Sequence, residues 1–379
     1  MLDGIRVLDL GAFITAPLAG MMLADLGADV VKVEPPGGEP FRHAGGQNPT
    51  YGDTFVAYNR NKRGLVLDLR DGKDRATMHR LLACADVLIE NFRPGVLEKL
   101  GLDPAELRRK YPRLIHCSIT GFGKKGPYRD RPAFDTVGQS MSGLLSLFVD
   151  PARPDCLGPS TTDTVTGMYA CYGVLGALVE RARTGTGRRI EVNMIEASMA
   201  FVQDAFTNYT RGGEVGDRYS RVTRSQSYAF RCADGALLGI QLSGQEKFWT
   251  GLIDALEAPE LAADPRFNGR LIRIENYHPL ERELAARFLK RPRAEWLARL
   301  AATDVPFAPI NNVKEALADP QMLALGSAVA THHPREGEVL SVACPLLVDG
   351  ARPQARGAAP PQIGEHAAEI LAEWGAGAD

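Results

Sequence analysis

The chain is poor in the features that would tie it to a metal, a membrane or a nucleic acid. Its six cysteines, Cys84, Cys117, Cys156, Cys171, Cys232 and Cys344, are scattered through 379 residues without a C-x-x-C pair, so spacing supports neither a zinc site nor a disulfide framework and no metal is expected. No run of about 18 uncharged apolar residues is credible as a membrane span, and the opening "MLDGIRVLDL" lacks the basic-then-apolar layout of a secretory leader. Charge of one sign is missing too. With 44 Lys and Arg against 46 Asp and Glu the formal net charge is -2, which argues against nucleic-acid or membrane-surface partners while leaving small anionic ligands open. Internal repeats and long low-complexity tracts are absent. The expectation is a cytoplasmic protein with reduced thiols.

What is present is apolar patterning. Hydrophobic residues make up 45% of the chain, enough for sizeable cores in two domains. The runs "IRVLDL", "DVVKVE", "GLVLDL", "ADVLIEN", "LIHCSIT" and "RIEVNM" read as buried strands separated by helix-like segments such as "PLAGMMLADLG", "ATMHRLLAC" and "PAELRRKY". That alternation predicts an α/β fold with a parallel sheet covered on both faces over residues 1–200. Residues 201–227, polar and arginine-bearing, read as a linker. The span 228–325 reads as a smaller α+β unit that begins with a hairpin turning at Asp234-Gly235.

The first strand, a glycine, a helix, a second strand and then Glu34 give the outline of a dinucleotide-binding unit. The fingerprint itself fails. Positions that need glycine hold Phe13 and Ala16, and a side chain at 13 would stand where a pyrophosphate needs bare backbone. Nicotinamide and flavin cofactors are therefore not expected.

The stretch "GPSTTDTVTGMYACYGVLGALVERARTGTGRR" holds a lone carboxylate, Asp163, before an uncharged run from Thr164 to Val179 whose apolar residues follow helical spacing. The run reads as a helix buried nearly all round. Asp163 suits an N-cap, where free N–H groups and the helix field favour negative charge. A cap, however, does not explain Gly167 four residues later.

Several segments together resemble the class III coenzyme A transferases, a family that includes formyl-CoA and carnitine transferases and the α-methylacyl-CoA racemases. They include "LDGIRVLDL", "LADLGADVVKVEPPGG", "NRNKRGLVLDL", "ADVLIENFRPGVLEKLGL", "SITGFGKKGPY", "FDTVGQSMSGL", "DTVTGMYACYGVLGAL", "PFAPINNVKEALADPQ" and "PPQIGEH", in the family's order from residue 2 to 366. The resemblance implies a large Rossmann-like domain, residues 1–200 completed by 326–379, and an intertwined homodimer. It assigns Asp163 as the nucleophile that attacks the thioester of an acyl-CoA, with Gly167 leaving room for the thioester and the helix start keeping the carboxylate charged. It puts coenzyme A contacts at or near Ile14, Leu67, Arg70, Asn91, Phe92, Arg93, Lys99, Phe134 and Asp135, with Arg60, Lys62 and Arg63 as further cations around one strand. Coenzyme A enters as substrate, and no prosthetic group is expected.

The chain departs from the family's pattern where Ile14 and Pro35 replace a glutamine and an arginine of some transferases, and it lacks a glycine-rich active-site loop. Racemases of the family carry His before an Asp that here is Asp135; Phe134 stands in that place and cannot move a proton. His332-His333 reads as an exposed late loop, His43 and His116 as isolated, and His366 as a structural residue that pins the last helix. For the acids exchanged, Arg42, Arg218, Arg221 or Arg224 could hold a second carboxylate, as in a succinyl-CoA donor. An acyl-CoA racemase and a non-catalytic acyl-CoA binder are the alternatives.

Overall fold

The six expected strands form: β1 Arg6–Asp9, β2 Asp29–Glu34, β3 Lys62–Val66, β4 Val87–Glu90, β5 Ile115–Thr120 and β6 Arg189–Asn193. They lie parallel in the order β3-β2-β1-β4-β5-β6, the doubly wound arrangement whose order reverses between β1 and β4. This computed structural model describes residues 1–45, 48–353 and 355–375.

Near-continuous apolar strands are what a sheet covered on both faces requires. Val7, Val30, Val87, Ile89, Ile115 and Cys117 face one way, against the Thr15–Asp25 helix and the long Thr161–Thr184 helix. Leu8, Val31, Leu65 and Leu88 face the other, against the Gly72–Cys84 and Pro104–Lys110 helices and the C-terminal Ala367–Glu373 helix. His366 stands at the N-cap of that last helix, and its Nδ1 accepts the Gly64 N–H at 3.2 Å. It pins the chain's end to β3.

Contacts divide the chain into two units, one of Met1–Leu145, Cys156–Thr207 and Gly326–Asp379, the other of Ser146–Asp155 and Asn208–Leu325. In the second, β7 Ser227–Arg231 and β8 Leu237–Gln241 form an antiparallel hairpin that β9 Phe307–Pro309 extends. The Asp234 carboxylate accepts the Ala236 N–H at 3.1 Å, while Gly235 supplies the positive φ of 79° that the turn needs. Behind the hairpin stack Tyr228 on Tyr277 and Phe230 on Phe288, with ring centres 4.7 and 4.6 Å apart. Among the described residues no helix is long and apolar enough to cross a membrane.

Three expectations change. The stretch read as a linker carries two helices, Gln203–Gly212 and Ser220–Ser225. Polar composition concealed an amphipathic period in the first and, before the second, an Asp217 carboxylate that accepts the Tyr219 and Ser220 N–H groups. The long helix is buried on one face only: Met168, Tyr172 and Val179 are 50, 73 and 64% exposed. Finally, His332 and His333 lie in a strand, β10 Ala328–His333, which pairs with β11 Gly337–Val342. His333 is buried, 3.2 Å from Glu365.

Candidate active site

A cavity of about 450 Å³ opens in the first unit beyond the carboxyl ends of β1, β4 and β5, lined by Ala12 to Thr15, Asn91 to Arg93, Ile119 to Gly121, Arg129, Arg131, Phe134 and Asp163. It therefore sits at the topological switch point between β1 and β4, where ligands of open α/β sheets bind.

Asp163 lies in the first turn of the Thr161–Thr184 helix, with Ser160 in the cap position. Asp163 is therefore not the N-cap residue. Its main-chain N–H, one of the free donors of that turn, is taken by Oδ1 of Asp135 at 3.1 Å, and Oδ2 of Asp135 accepts from the amide of buried Gln139 at 2.5 Å. Asp163 and Asp135 thus stand together. Burial, and then the Asp135 charge, push the Asp163 carboxyl up to about 7. This overturns the expectation that the helix start keeps it readily charged: the dipole's favourable contribution of about 0.3–1 kcal/mol is smaller than the opposing desolvation and like-charge repulsion. The Tyr58 phenol is likewise raised, by burial and then by Asp163 and Asp135, so it stands within electrostatic reach of both.

Gly167 has a different use from the one expected. A Cβ there would lie 2.7 Å from the Thr15 carbonyl oxygen and 3.0 Å from the Leu18 side chain. The glycine lets the long helix cross the Thr15–Asp25 helix closely, and so sets the cavity wall rather than leaving room for a thioester.

The β1 loop on the opposite wall is held by buried charge. Nζ of Lys62 donates to Asp9 at 2.8 Å, to the Pro17 carbonyl at 2.7 Å and to Asn59 at 2.8 Å. Lys32 donates to the Gly11 carbonyl and stands 3.7 Å from Glu39, whose other oxygen accepts the Phe13 N–H at 2.9 Å. From β4, Asn91 accepts the Ala12 N–H at 2.9 Å and donates to the Ala12 carbonyl at 2.7 Å and to Thr15 Oγ1 at 3.0 Å. Phe13 is bound in a left-handed backbone conformation, φ 65°, uncommon for any residue but glycine.

Of the residues singled out in the sequence, Ile14, Asn91, Phe92, Arg93, Phe134 and Asp163 line the cavity, and Asp135 stands one hydrogen bond behind. Leu67, Arg70 and Lys99 do not line it. Leu67 is buried in the core, Arg70 is exposed and bound to Asp68 at 2.8 Å, and Lys99 ends the short Val96–Lys99 helix at the surface. Arg60, Lys62 and Arg63 are not open cations. They are buried against Asp25, Asp9 and Asp29 at 2.5, 2.8 and 2.5 Å. Arg42 is withdrawn as a substrate contact for the same reason: it is fully buried, bound to Glu34 at 2.6 Å and stacked on Phe55. Arg218 and Arg224, in the second unit, pair with Asp150 and Glu214. His116 is not isolated but buried beside Glu90 at 3.2 Å.

Sequence reasoning missed Arg129 and Arg131, whose signal was the dense "RDRPAFD" run just before Asp135. The Arg131 guanidinium lies 4.0 Å from the Tyr128 ring centre, a stacked cation on the cavity rim.

One prediction follows from the raised carboxyl. The folded chain holds the Asp163 proton to about pH 7, whereas an unfolded aspartate releases it near pH 3.9. Stability therefore falls as pH rises through that window and is level above it, by about 4 kcal/mol at most. Asp163→Asn removes the penalty. Urea denaturation is expected to show the variant more stable than the parent at pH 8, with the margin shrinking towards pH 4.

The model of CoA-transferase family III matches residues 2–367. Succinyl-CoA:glutarate CoA-transferase of Mus musculus is 32% identical over 383 residues, covering 98% of this chain and 86% of its own. Succinyl-CoA–D-citramalate CoA-transferase of Chloroflexus aurantiacus is 35% identical, covering 98% and 93%. Among solved structures, a CAIB/BAIF family protein from Brucella suis superposes with a TM-score of 0.88 at 34% identity over 98% of both chains.

Proposed function

The chain belongs to CoA-transferase family III and is a CoA-transferase, and from that premise we propose that it moves coenzyme A between carboxylic acids by way of covalent intermediates on Asp163. The observation that carries this is a buried carboxylate of raised basicity facing a cavity at the sheet's switch point. An ionised Asp163 oxygen attacks the donor thioester carbonyl, giving a mixed anhydride and coenzyme A thiolate. The thiolate then attacks the aspartyl carbonyl, which releases the donor acid and leaves an aspartyl-CoA thioester. An acceptor carboxylate reverses the sequence: it takes the aspartyl group as a new anhydride, and the returning thiolate attacks the acceptor's carbonyl and frees Asp163. Basicity strengthens the attacking oxygen, and Asp135, held by Gln139, keeps it high.

Succinyl-CoA is the proposed donor. The two curated relatives are named for it, and Arg93, Arg129 and Arg131 line the same cavity as Asp163. Guanidinium groups suit both coenzyme A phosphates and the free end of a dicarboxylic acid. The racemase alternative is not favoured, because Phe134 offers no proton. The exposed apolar face of the long helix, Met168, Tyr172 and Val179, supports a homodimer. Six free thiols fit a cytoplasmic location.

The test is to incubate the protein with succinyl-CoA and a panel of free acids and follow new thioesters by mass spectrometry. Transfer supports the reading; an epimerised thioester without exchange, or no reaction with any pair, overturns it. Because attack needs the ionised form, kcat/KM is expected to climb about tenfold per pH unit below 7 and to level off above it. A profile that is flat from pH 5 to 8 would contradict a nucleophile of that basicity.

A further inference from the structure

Phe13 is a bulky side chain at a backbone conformation that favours glycine, φ 65°, and several buried groups keep it there. Glu39, 2% exposed, binds its N–H at 2.9 Å through one oxygen. The other oxygen of Glu39 has no hydrogen-bond partner and faces Lys32 at 3.7 Å. Lys32, itself fully buried, also holds the carbonyl of Gly11 two residues earlier. A loop free to relax would not retain such a conformation, and residues held this way concentrate at functional sites. The ring meets Phe41 edge-on at 5.2 Å and Phe134 edge-on at 5.5 Å. Phe134 immediately precedes Asp135, whose carboxylate binds Asp163, and Phe13, Phe134 and Asp163 all line one cavity.

Resting on the covalent reading above, we propose that the Phe13–Phe134 pair is the water-excluding wall of the Asp163 cavity and decides whether the intermediate passes to an acid or to water. The aspartyl-CoA thioester is an activated acyl group. Water that reaches its carbonyl gives the free Asp163 carboxylate, coenzyme A thiol and a proton, with no new thioester formed. An acceptor carboxylate reaching the same carbon instead keeps the energy of the thioester bond in the product. The two rings, packed edge-on in the lining of the cavity that Asp163 enters, favour the second outcome by shape, because neither offers a polar group to bind a water. The strained loop sets the first ring, and the start of the Asp135–Met141 helix sets the second.

The test compares Phe13→Gly, which suits the left-handed backbone and removes only the ring, with Phe13→Leu, which keeps apolar bulk, and with Phe134→Ala at a 59% exposed position. For each, free thiol released from succinyl-CoA is measured beside new thioester formed with an acceptor acid. The ratio of hydrolysis to transfer is expected to rise about tenfold in Phe13→Gly and several-fold in Phe134→Ala, while Phe13→Leu stays within about threefold of the parent. Unchanged ratios in Phe13→Gly and Phe134→Ala would overturn the proposal. Failure of the covalent reading shows elsewhere, as transfer that survives in Asp163→Asn.

Discussion

Replacing Asp163 with alanine is expected to lower transfer turnover by about 10⁴-fold or more, the scale at which enzymes lose rate when a covalent nucleophile is removed. The affinity for the acyl-CoA should change little, because the phosphates and pantetheine arm would be bound by cavity groups other than this carboxylate. The effect should therefore appear in kcat with KM nearly constant. Misfolding is separated from lost chemistry by Asp163→Asn, which is isosteric and relieves a buried acid beside Asp135. It should be as inactive as the alanine variant while melting at or above the parent's temperature at pH 8. Steady-state kinetics and thermal denaturation of the two variants check the pair of expectations together.

The second large effect belongs to stability. Lys62→Met should destabilise the fold by about 3–5 kcal/mol, because removing one partner of a buried ion pair strands the other. Asp9 and Lys62 are both fully buried, and Nζ of Lys62 also satisfies the Pro17 carbonyl and Asn59. Burial on its own would raise the Asp9 carboxyl, yet Lys32 and Lys62 hold it below the ordinary value. Without Lys62, the remaining cation, Lys32, stands 3.9 Å from Asp9. The melting temperature should drop by about 5 °C. Adding Asp9→Asn to Lys62→Met should recover part of the loss, since the stranded charge goes with it. If the double variant melts lower still, by the sum of the single effects, the pair is not coupled and this account of the network is wrong.

The sheet was legible because burial on both faces writes each strand as an apolar run, so β1 to β6 could be read one by one. Side chains that change sides were not legible. Arg60, Lys62 and Arg63 read as cations for coenzyme A and Arg42 as a holder of a second carboxylate, and Lys62 finds Asp9 only when strands 53 residues apart are laid close. An apolar stripe also reads the same whatever covers it, which is why the long helix was expected to be buried all round and instead exposes Tyr172. At the site, the family resemblance marked Asp163, but its basicity depends on Asp135 and on depth in the fold, and neither is encoded next to it in sequence. Gly167 shows the converse: its need is local and visible, while its reason, the Thr15 carbonyl 2.7 Å from where a Cβ would be, is tertiary.

The most direct measurement is intact-protein and peptide mass spectrometry after the protein is mixed with succinyl-CoA in the absence of an acceptor acid. The expected result is a coenzyme A adduct on the peptide that contains Asp163, discharged when an acceptor is added and absent from Asp163→Asn. Transfer that proceeds at the parent's rate in Asp163→Asn, or an adduct on any other residue, would contradict it.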